Sequence, residues 1–395
     1  MKIKEVDAGE ILDSRKEKTI FVSIKTNAGN FSASAPNGKS KGKFEAKDYK
    51  KSLKEDITEL KKFSDYFSEE DLKKFEDLQK IEEIVKNHIG ANTLFAFESA
   101  ILKAIAKEQK KQVWQLINPK AVNFPRLIGN CIGGGKHSTA EKKPDFQEFL
   151  LIPEVEHVFE SWDVNKNAKV DAEIILKNVD DKFGNQKNDE DAWITSLDDK
   201  RVLEVLKDLK DNAFDERRLY LAEGVDVAAS AFYSRQKYHY TNPKLDRTKE
   251  EHFEYVSSLI KNFTLFYIED PFEEKDFESF SKLLKKFPKD TLIVGDDLTA
   301  TNLKRTEKAV KEKSINAVIV KPNQNGSLLE VKKIVEFCKK NSIKIIFSHR
   351  SGETEENILA DLAFGFQADF FKCGITEKER ESKIKRLIEI EEGLK

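Results

Sequence analysis

Three acidic residues, Asp226, Glu269 and Asp296, fall at the ends of successive short apolar runs in the 395-residue chain. If those runs are neighbouring strands, the three carboxylates converge on one mouth. An oxygen-only ligand set of that kind suits a hard cation, Mg²⁺ being the usual choice. The next run, Val318-Ile319-Val320, delivers Lys321 to the same place. Desolvation and positive neighbours lower the pKa of a lysine, which would make Lys321 a competent general base. Taken singly, a strand-end acid is more often a helix cap or surface charge, and a strand-end lysine often only extends its head to water. Four together favour a metal-lined site.

The elements that must position these side chains follow from spacing. Apolar runs at 149–152, 225–227, 265–268, 292–294, 317–320, 343–347 and 370–371 end in a charged or polar residue and lead into helical segments. From Glu269 the charged residues Asp296, Lys321, His349 and Lys372 follow at steps of 27, 25, 28 and 23, one βα unit each. Repeated βα units with functional side chains at strand ends predict a closed α/β barrel. An open doubly wound sheet would carry a glycine-rich phosphate loop after its first strand, and Gly133-Gly134-Gly135 does not match that pattern. Upstream, residues 1–35 alternate as an antiparallel meander with a turn at 27–30. From Glu45 to about Val113 the period becomes helical, with Tyr49, Leu53, Ile57 and Leu60 on one face, and Asn92 or Thr93 placed to cap a helix over 94–106. A linker over 118–125 divides the chain into an α+β domain, 1–124, and a barrel domain, 125–395.

Composition narrows the function. Lys and Arg total 69 against 71 Asp and Glu, a formal charge of −2, without the basic excess expected of a nucleic-acid partner. No apolar run is long enough to span a bilayer and the first residues carry acids, so a cytoplasmic protein is expected. The cysteines Cys131, Cys338 and Cys373 are too few and too scattered for a disulfide framework or a zinc site.

Seven ordered motifs resemble those of the enolase family: 10–15 (Glu-Ile-Leu-Asp-Ser-Arg), 146–149 (Phe-Gln-Glu-Phe), 226–230 (Asp-Val-Ala-Ala-Ser), 268–272 (Ile-Glu-Asp-Pro-Phe), 295–299 (Gly-Asp-Asp-Leu-Thr), 321–324 (Lys-Pro-Asn-Gln) and 348–354 (Ser-His-Arg-Ser-Gly-Glu-Thr). The resemblance implies an α/β fold, a (β/α)8-type barrel preceded by an α+β cap. It implies reversible dehydration of 2-phosphoglycerate to phosphoenolpyruvate with two Mg²⁺ ions. A lysine or histidine base working beside Mg²⁺ that stabilises an ene-diolate is the chemistry of this superfamily. Carried onto matching positions, Asp226, Glu269 and Asp296 would hold the first Mg²⁺, with Ser40 on the second. Lys321 would be the base and Glu190 the acid, supported by Glu148, with His137 and His349 beside them. Arg350, Ser351, Lys372, Gln147 and Ser40 would bind substrate. Residues 36–42 would form a closing loop, and a homodimer or higher homo-oligomer is expected.

Four departures bear on these expectations. Lys16-Glu17-Lys18 replaces a Gly-Asn-Pro run near the family's dimer contacts, Lys39 and Lys41 replace small residues of the closing loop, and Ala231 replaces an acid. Asp191-Ala192 replaces a Gly-Gly pair after Glu190, where side chains restrict the backbone. They leave a second possibility, a non-catalytic paralogue acting as a binding or scaffold protein.

Overall fold

A computed structural model describes the chain except Ser40, Lys41, Ser68, Glu69, Lys86 and Lys395. Three antiparallel strands, β1 (Ile3–Leu12), β2 (Lys18–Thr26) and β3 (Gly29–Ser34), form the expected meander in the order β1-β2-β3. α1 (Leu53–Lys62) packs against it, α2 (Leu78–Val85) lies on the next helix, and that helix, α3 (Ala91–Glu108), packs against β2 and β3. The helical rhythm begins later than its spacing predicts: Ser52 caps α1 by accepting from Glu55 N–H, and residues 43–51 are turns, bends and irregular backbone. Neither Asn92 nor Thr93 caps α3, whose N-cap is Gly90. The Asn92 amide instead donates to Pro36 O at 3.2 Å, and Thr93 Oγ1 donates to Asp56 at 2.8 Å. α3 is buried around nearly its whole circumference, as its apolar sequence requires.

Eight strands close the barrel: β4 (Arg126–Gly133), β5 (Glu148–Pro153), β6 (Leu221–Asp226), β7 (Tyr267–Glu269), β8 (Leu292–Gly295), β9 (Ala317–Val320), β10 (Lys344–Ser348) and β11 (Phe370–Gly374). β11 pairs back onto β4, with Phe370 opposite Arg126. β5 runs antiparallel to both β4 and β6, and the remaining pairings around the barrel are parallel. β4 does not show as an apolar run in the sequence, because Gly129 and Asn130 interrupt it. Reversal of β5 also corrects the place of its acid. Glu148 opens the strand rather than following it, and still reaches the end where the parallel strands finish.

Two-residue alternation sorts the barrel side chains. Ile128, Leu150, Ile152, Tyr267, Val294, Ala317, Ile319, Ile346 and Phe370 form one closed cluster inside the barrel. Their neighbours Leu151, Val225, Ile268, Ile293, Val318, Ile345 and Phe371 face the surrounding helices in the larger core. The outer helices include α4 (Val158–Val179), α5 (Asp199–Arg217), α6 (Lys249–Phe263), α7 (Phe277–Lys286), α8 (Leu303–Lys311), α9 (Leu328–Lys340), α10 (Ile358–Gly365) and α11 (Lys378–Glu392). Asp198, Thr248, Asp276, Asn302 and Ser327 accept from orphan N–H groups at the starts of α5 to α9, ending each loop where its helix must begin. Among the described residues, no helix is long and apolar enough to cross a membrane.

His252 of α6 fastens the loop after β7. Its ring stacks on Tyr238 at 3.7 Å, accepts from Tyr240 OH at 2.9 Å through Nδ1 and donates to Pro271 O at 2.7 Å through Nε2. Burial pushes its pKa down to about 3. The unfolded imidazole takes up a proton below about 6.5 while the folded one does not, so this group costs stability as pH falls from 6.5 towards 3. His252→Gln is expected to flatten the pH dependence of urea unfolding in that window by about one proton. An unchanged slope would show that His252 does not titrate on unfolding.

Candidate active site

The inward parity that fills the barrel also aims its polar residues. Glu269 lies two residues beyond Tyr267, Asp296 two beyond Val294, Lys321 two beyond Ile319 and Lys372 two beyond Phe370. Glu148 lies two before Leu150. Register then aligns three acids, since Asp226 is paired with Glu148 on one side and Glu269 on the other.

Lys372 Nζ sits among them, 2.6 Å from Glu269, 3.0 Å from Glu148 and 3.2 Å from Asp226. All four residues are buried. Burial pushes the Lys372 pKa down, but Asp226, Glu148 and Glu269 outweigh it and hold the ammonium well above the ordinary lysine range. Burial raises the carboxyl of Glu148 and Lys372 opposes it. Tyr267 OH donates to Glu269 Oε2, and Gln147 donates to Asp226 at 3.3 Å.

Among the described residues, Lys321 Nζ makes its ion pair with Asp296 alone. This corrects the expected depression of its pKa: burial, Arg350 and Lys372 push it down, but Asp296, helped by the more distant Glu269, overrides them and the value is raised. Asp296 is itself positioned by Asp270, whose carboxylate accepts from the backbone N–H of Asp296 at 3.0 Å and of Asp297 at 2.5 Å. Burial and Asp296 raise Asp297 to about 7.

Across the cavity, Glu190 Oε2 accepts from Asn130 at 2.9 Å and lies 3.7 Å from His349 Nε2, while its Oε1 lies 3.6 Å from His137 Nδ1. His137 Nδ1 is also 3.5 Å from Glu148. Burial lowers the pKa of both histidines, so both rings are neutral near pH 7. Arg350 pairs with Glu45 at 3.0 Å and donates to Asn323 at 3.3 Å. A Cβ on Gly38 would stand 1.9 Å from the guanidinium, so a side chain here would displace Arg350 from its present position. That loop is sewn to the barrel by reciprocal Asn37–Gly352 backbone bonds of 2.7 and 2.8 Å, and by Asn323 Nδ2 donating to Pro36 O at 3.1 Å. Lys39 N–H donates to Ser351 Oγ at 2.7 Å. Ser40 and Lys41 lie outside the described residues.

Gly38, His137, Gln147, Glu148, Glu190, Asp226, Lys321, His349, Arg350, Ser351 and Lys372 line one cavity. It adjoins a second of about 110 Å³, bounded by Gln147, Asp226, Asp270, Asp296 and Asp297. The donor chemistry suits Mg²⁺: Asp226, Glu269 and Asp296 offer only oxygens, and the buried Glu269 Oε1 has no hydrogen-bond donor. In the structure, Asp226 and Glu269 turn towards Lys372 and Asp296 towards Lys321. Among the described residues, the acids and histidines that share a common point are Asp270, Asp296 and Asp297, and His137, Glu148 and Glu190. Sequence reasoning gives no role to Glu45, Asn130, Tyr267 or Asp270. Only Asp270 carries a signal, its place beside Glu269 in the 268–272 motif.

Residues 3–117 match the family model for the enolase N-terminal domain, and 121–395 match that for the enolase C-terminal TIM barrel domain. The chain is 34% identical to the enolase of Methanosphaera stadtmanae, over 99% of this chain and 97% of that one. It is 35% identical to the enolase of Sulfurisphaera tokodaii, over 99% and 95%. Identity to the enolase of Archaeoglobus fulgidus is 33%, over 99% and 98%.

Lys372→Met deletes the charge that three buried carboxylates share. Loss of one partner from a buried ion cluster costs about 3–5 kcal/mol, and urea unfolding at pH 7 should register a loss of that size. Carboxyls with raised folded pKa values bind more protons folded than unfolded, so acidification from pH 7 to 5 should narrow the deficit. Equal stability of variant and wild type at pH 7 would contradict the assignment of Lys372 as their counterion.

Proposed function

The chain belongs to the enolase family of lyases, and from that premise we propose that it dehydrates 2-phosphoglycerate to phosphoenolpyruvate by the reversible reaction of that family. The observation that carries the proposal is that one cavity is lined by a lysine whose neutral amine would serve as a base, Lys321, a carboxyl suited to an acid, Glu190, and two cations suited to an anionic substrate, Arg350 and Lys372. Arg350 offers the phosphate a planar fork of donors, with Ser351 beside it. Lys372 receives the substrate carboxylate, and Gln147 orients that end of the cavity.

Asp226, Glu269 and Asp296 would hold one Mg²⁺, and Ser40 a second. When bound, Mg²⁺ supplies positive charge where the substrate carboxylate gains electron density. Lys321 Nζ takes the proton from C2, and the electron pair of that C–H bond passes into the carboxylate. Expulsion of the C3 hydroxyl then forms the C2–C3 double bond. Glu190 gives the departing oxygen its proton, so water leaves. Neutral His137 and His349 flank Glu190 without adding positive charge. Glu148 keeps a second carboxyl near Glu190.

Substrate recognition calls for movement at Arg350, because Glu45 now occupies part of its guanidinium. The exchange of a carboxylate for a phosphate at one arginine gives the 36–45 segment a direct means of sensing substrate.

Purified protein with 2-phosphoglycerate and Mg²⁺ should produce phosphoenolpyruvate, followed by its ultraviolet absorbance, and a chelator should abolish the signal. Lys321→Ala and Glu190→Gln should each lower kcat at least ~10²-fold, the range ascribed to a positioned proton-transfer group. Normal binding of 2-phosphoglycerate with no turnover by the wild type would instead favour a binding or scaffold protein.

A further inference from the structure

Glu190 is held by a loop whose sequence departs from the family's glycine pair, and the structure shows what the replacement does. Asp191 adopts φ +61°, the left-handed region that glycine occupies freely. Its N–H donates to Asn188 O at 3.0 Å, and Asn188 Oδ1 accepts from both Glu190 and Ala192 N–H at 2.9 Å. The turn that presents Glu190 is therefore closed from within, and it includes a residue in the left-handed region, which aspartate enters more readily than most side chains.

The Asp191 carboxylate ties this turn to the barrel. One oxygen accepts from Lys169 of α4 at 2.6 Å and from Thr376 Oγ1, and the other lies 3.0 Å from Lys187. The Lys169 side chain is only 5% exposed, so this ion pair lies away from the screening that weakens surface pairs. Lys169 is also fastened to the far side of the loop, where its backbone O accepts from Trp193 Nε1 at 2.8 Å. Thr376 lies four residues beyond Lys372. The loop's backbone is seated on the same strand, since a Cβ on Gly374 would stand 3.0 Å from Glu190 O. Asp191 thus joins the segment bearing the acid to the turn that follows β11, the strand bearing Lys372.

We propose that Asp191 is a positioning residue for Glu190, its carboxylate acting through Lys169 and Thr376 to hold in place a turn that glycines shape in related chains. The proposal rests on the assignment of Glu190 as the acid that protonates the departing hydroxyl. Removal of the C2 proton by Lys321 does not depend on Glu190, so a displaced acid uncouples the two steps. The C2 proton then exchanges with solvent and returns before the hydroxyl leaves.

The test compares Asp191→Asn, Asp191→Gly and Lys169→Met with wild type. Phosphoenolpyruvate formation and exchange of the 2-phosphoglycerate C2 proton with D₂O are measured together. Each variant is expected to form phosphoenolpyruvate about 10-fold more slowly, with KM within about 2-fold. The ratio of exchange to dehydration should rise about 10-fold, and the double variant Asp191→Asn/Lys169→Met should be no worse than either single variant. Asp191→Gly is decisive, because it restores backbone freedom while deleting the carboxylate. Wild-type turnover and ratio in Asp191→Gly, or exchange and dehydration falling in step in all variants, would overturn the proposal. If a variant fails to fold, Thr376→Val removes one donor and should raise the same ratio, and an unchanged ratio there counts against it. Hydrogen exchange of the 188–192 amides in Asp191→Asn separates this inference from the assigned reaction. Faster exchange there supports the tether even if the wild type lacks enolase turnover, and unchanged exchange opposes it.

Discussion

Lys372 Nζ lies within 3.2 Å of carboxylates from three strands, and much of the catalytic end of the barrel is arranged around that contact. Three buried carboxylates without a counterion would each carry a desolvation cost of several kcal/mol. With the ammonium between them they can be packed side by side. The register that pairs Asp226 with Glu148 and Glu269 costs less because β11 brings Lys372 to the same level. Closure of the barrel and placement of this counterion go together: β11 completes the ring by pairing with β4 and brings Lys372 to the acids by the same placement.

Period-two alternation sets how far these charges sit from the apolar interior. In β7, β8, β9 and β11 a branched or aromatic residue faces inward two positions before the polar one, and on the reversed β5 Leu150 stands two after it. A one-residue slip in any of them would send the polar group outward into the helix layer and an outer-core residue into the mouth. The aliphatic plug formed by Ile128, Leu150, Val294, Ile319 and Ile346 thus also keeps the registers in place. Asp270 adds a finer control. By accepting from the N–H groups that follow β8, it fixes the turn that carries Asp296, independently of what Asp296 itself binds.

Much of this was legible in the chain because parallel strands that finish at one mouth repeat a simple signal, an apolar run and then a charge. Asp226, Glu269, Asp296, Lys321 and Lys372 all announced themselves in that way. β4 did not, since Gly129 and Asn130 break its run, although Asn130 holds Glu190. Glu148 carried the opposite polarity because its strand is reversed, and only the motif around it marked it. Glu45 on Arg350 and Lys169 on Asp191 are pairings across 305 and 22 residues, which no local pattern encodes. The shift at Lys321 was unreadable for a related reason. The sign depended on which of several opposed neighbours stood closest, and Asp296 does.

That same geometry separates two buried lysines that look alike in sequence. Lys372 is bound by three carboxylates, so withdrawal of any one leaves two to hold its proton. Lys321 has a single ion-pair partner among the described residues. Burial and the nearby Arg350 and Lys372 cations favour its neutral amine, and beyond Asp296 only the more distant pull of Glu269 opposes them strongly. Any positive charge that engages Asp296 and Glu269 weakens what keeps Lys321 protonated, while Lys372 still has Glu148. One lysine is thereby built as a lasting cation and the other as a group whose protonation depends chiefly on a single carboxylate. The unequal sharing of acids between two strand ends makes the difference, without any difference in residue type.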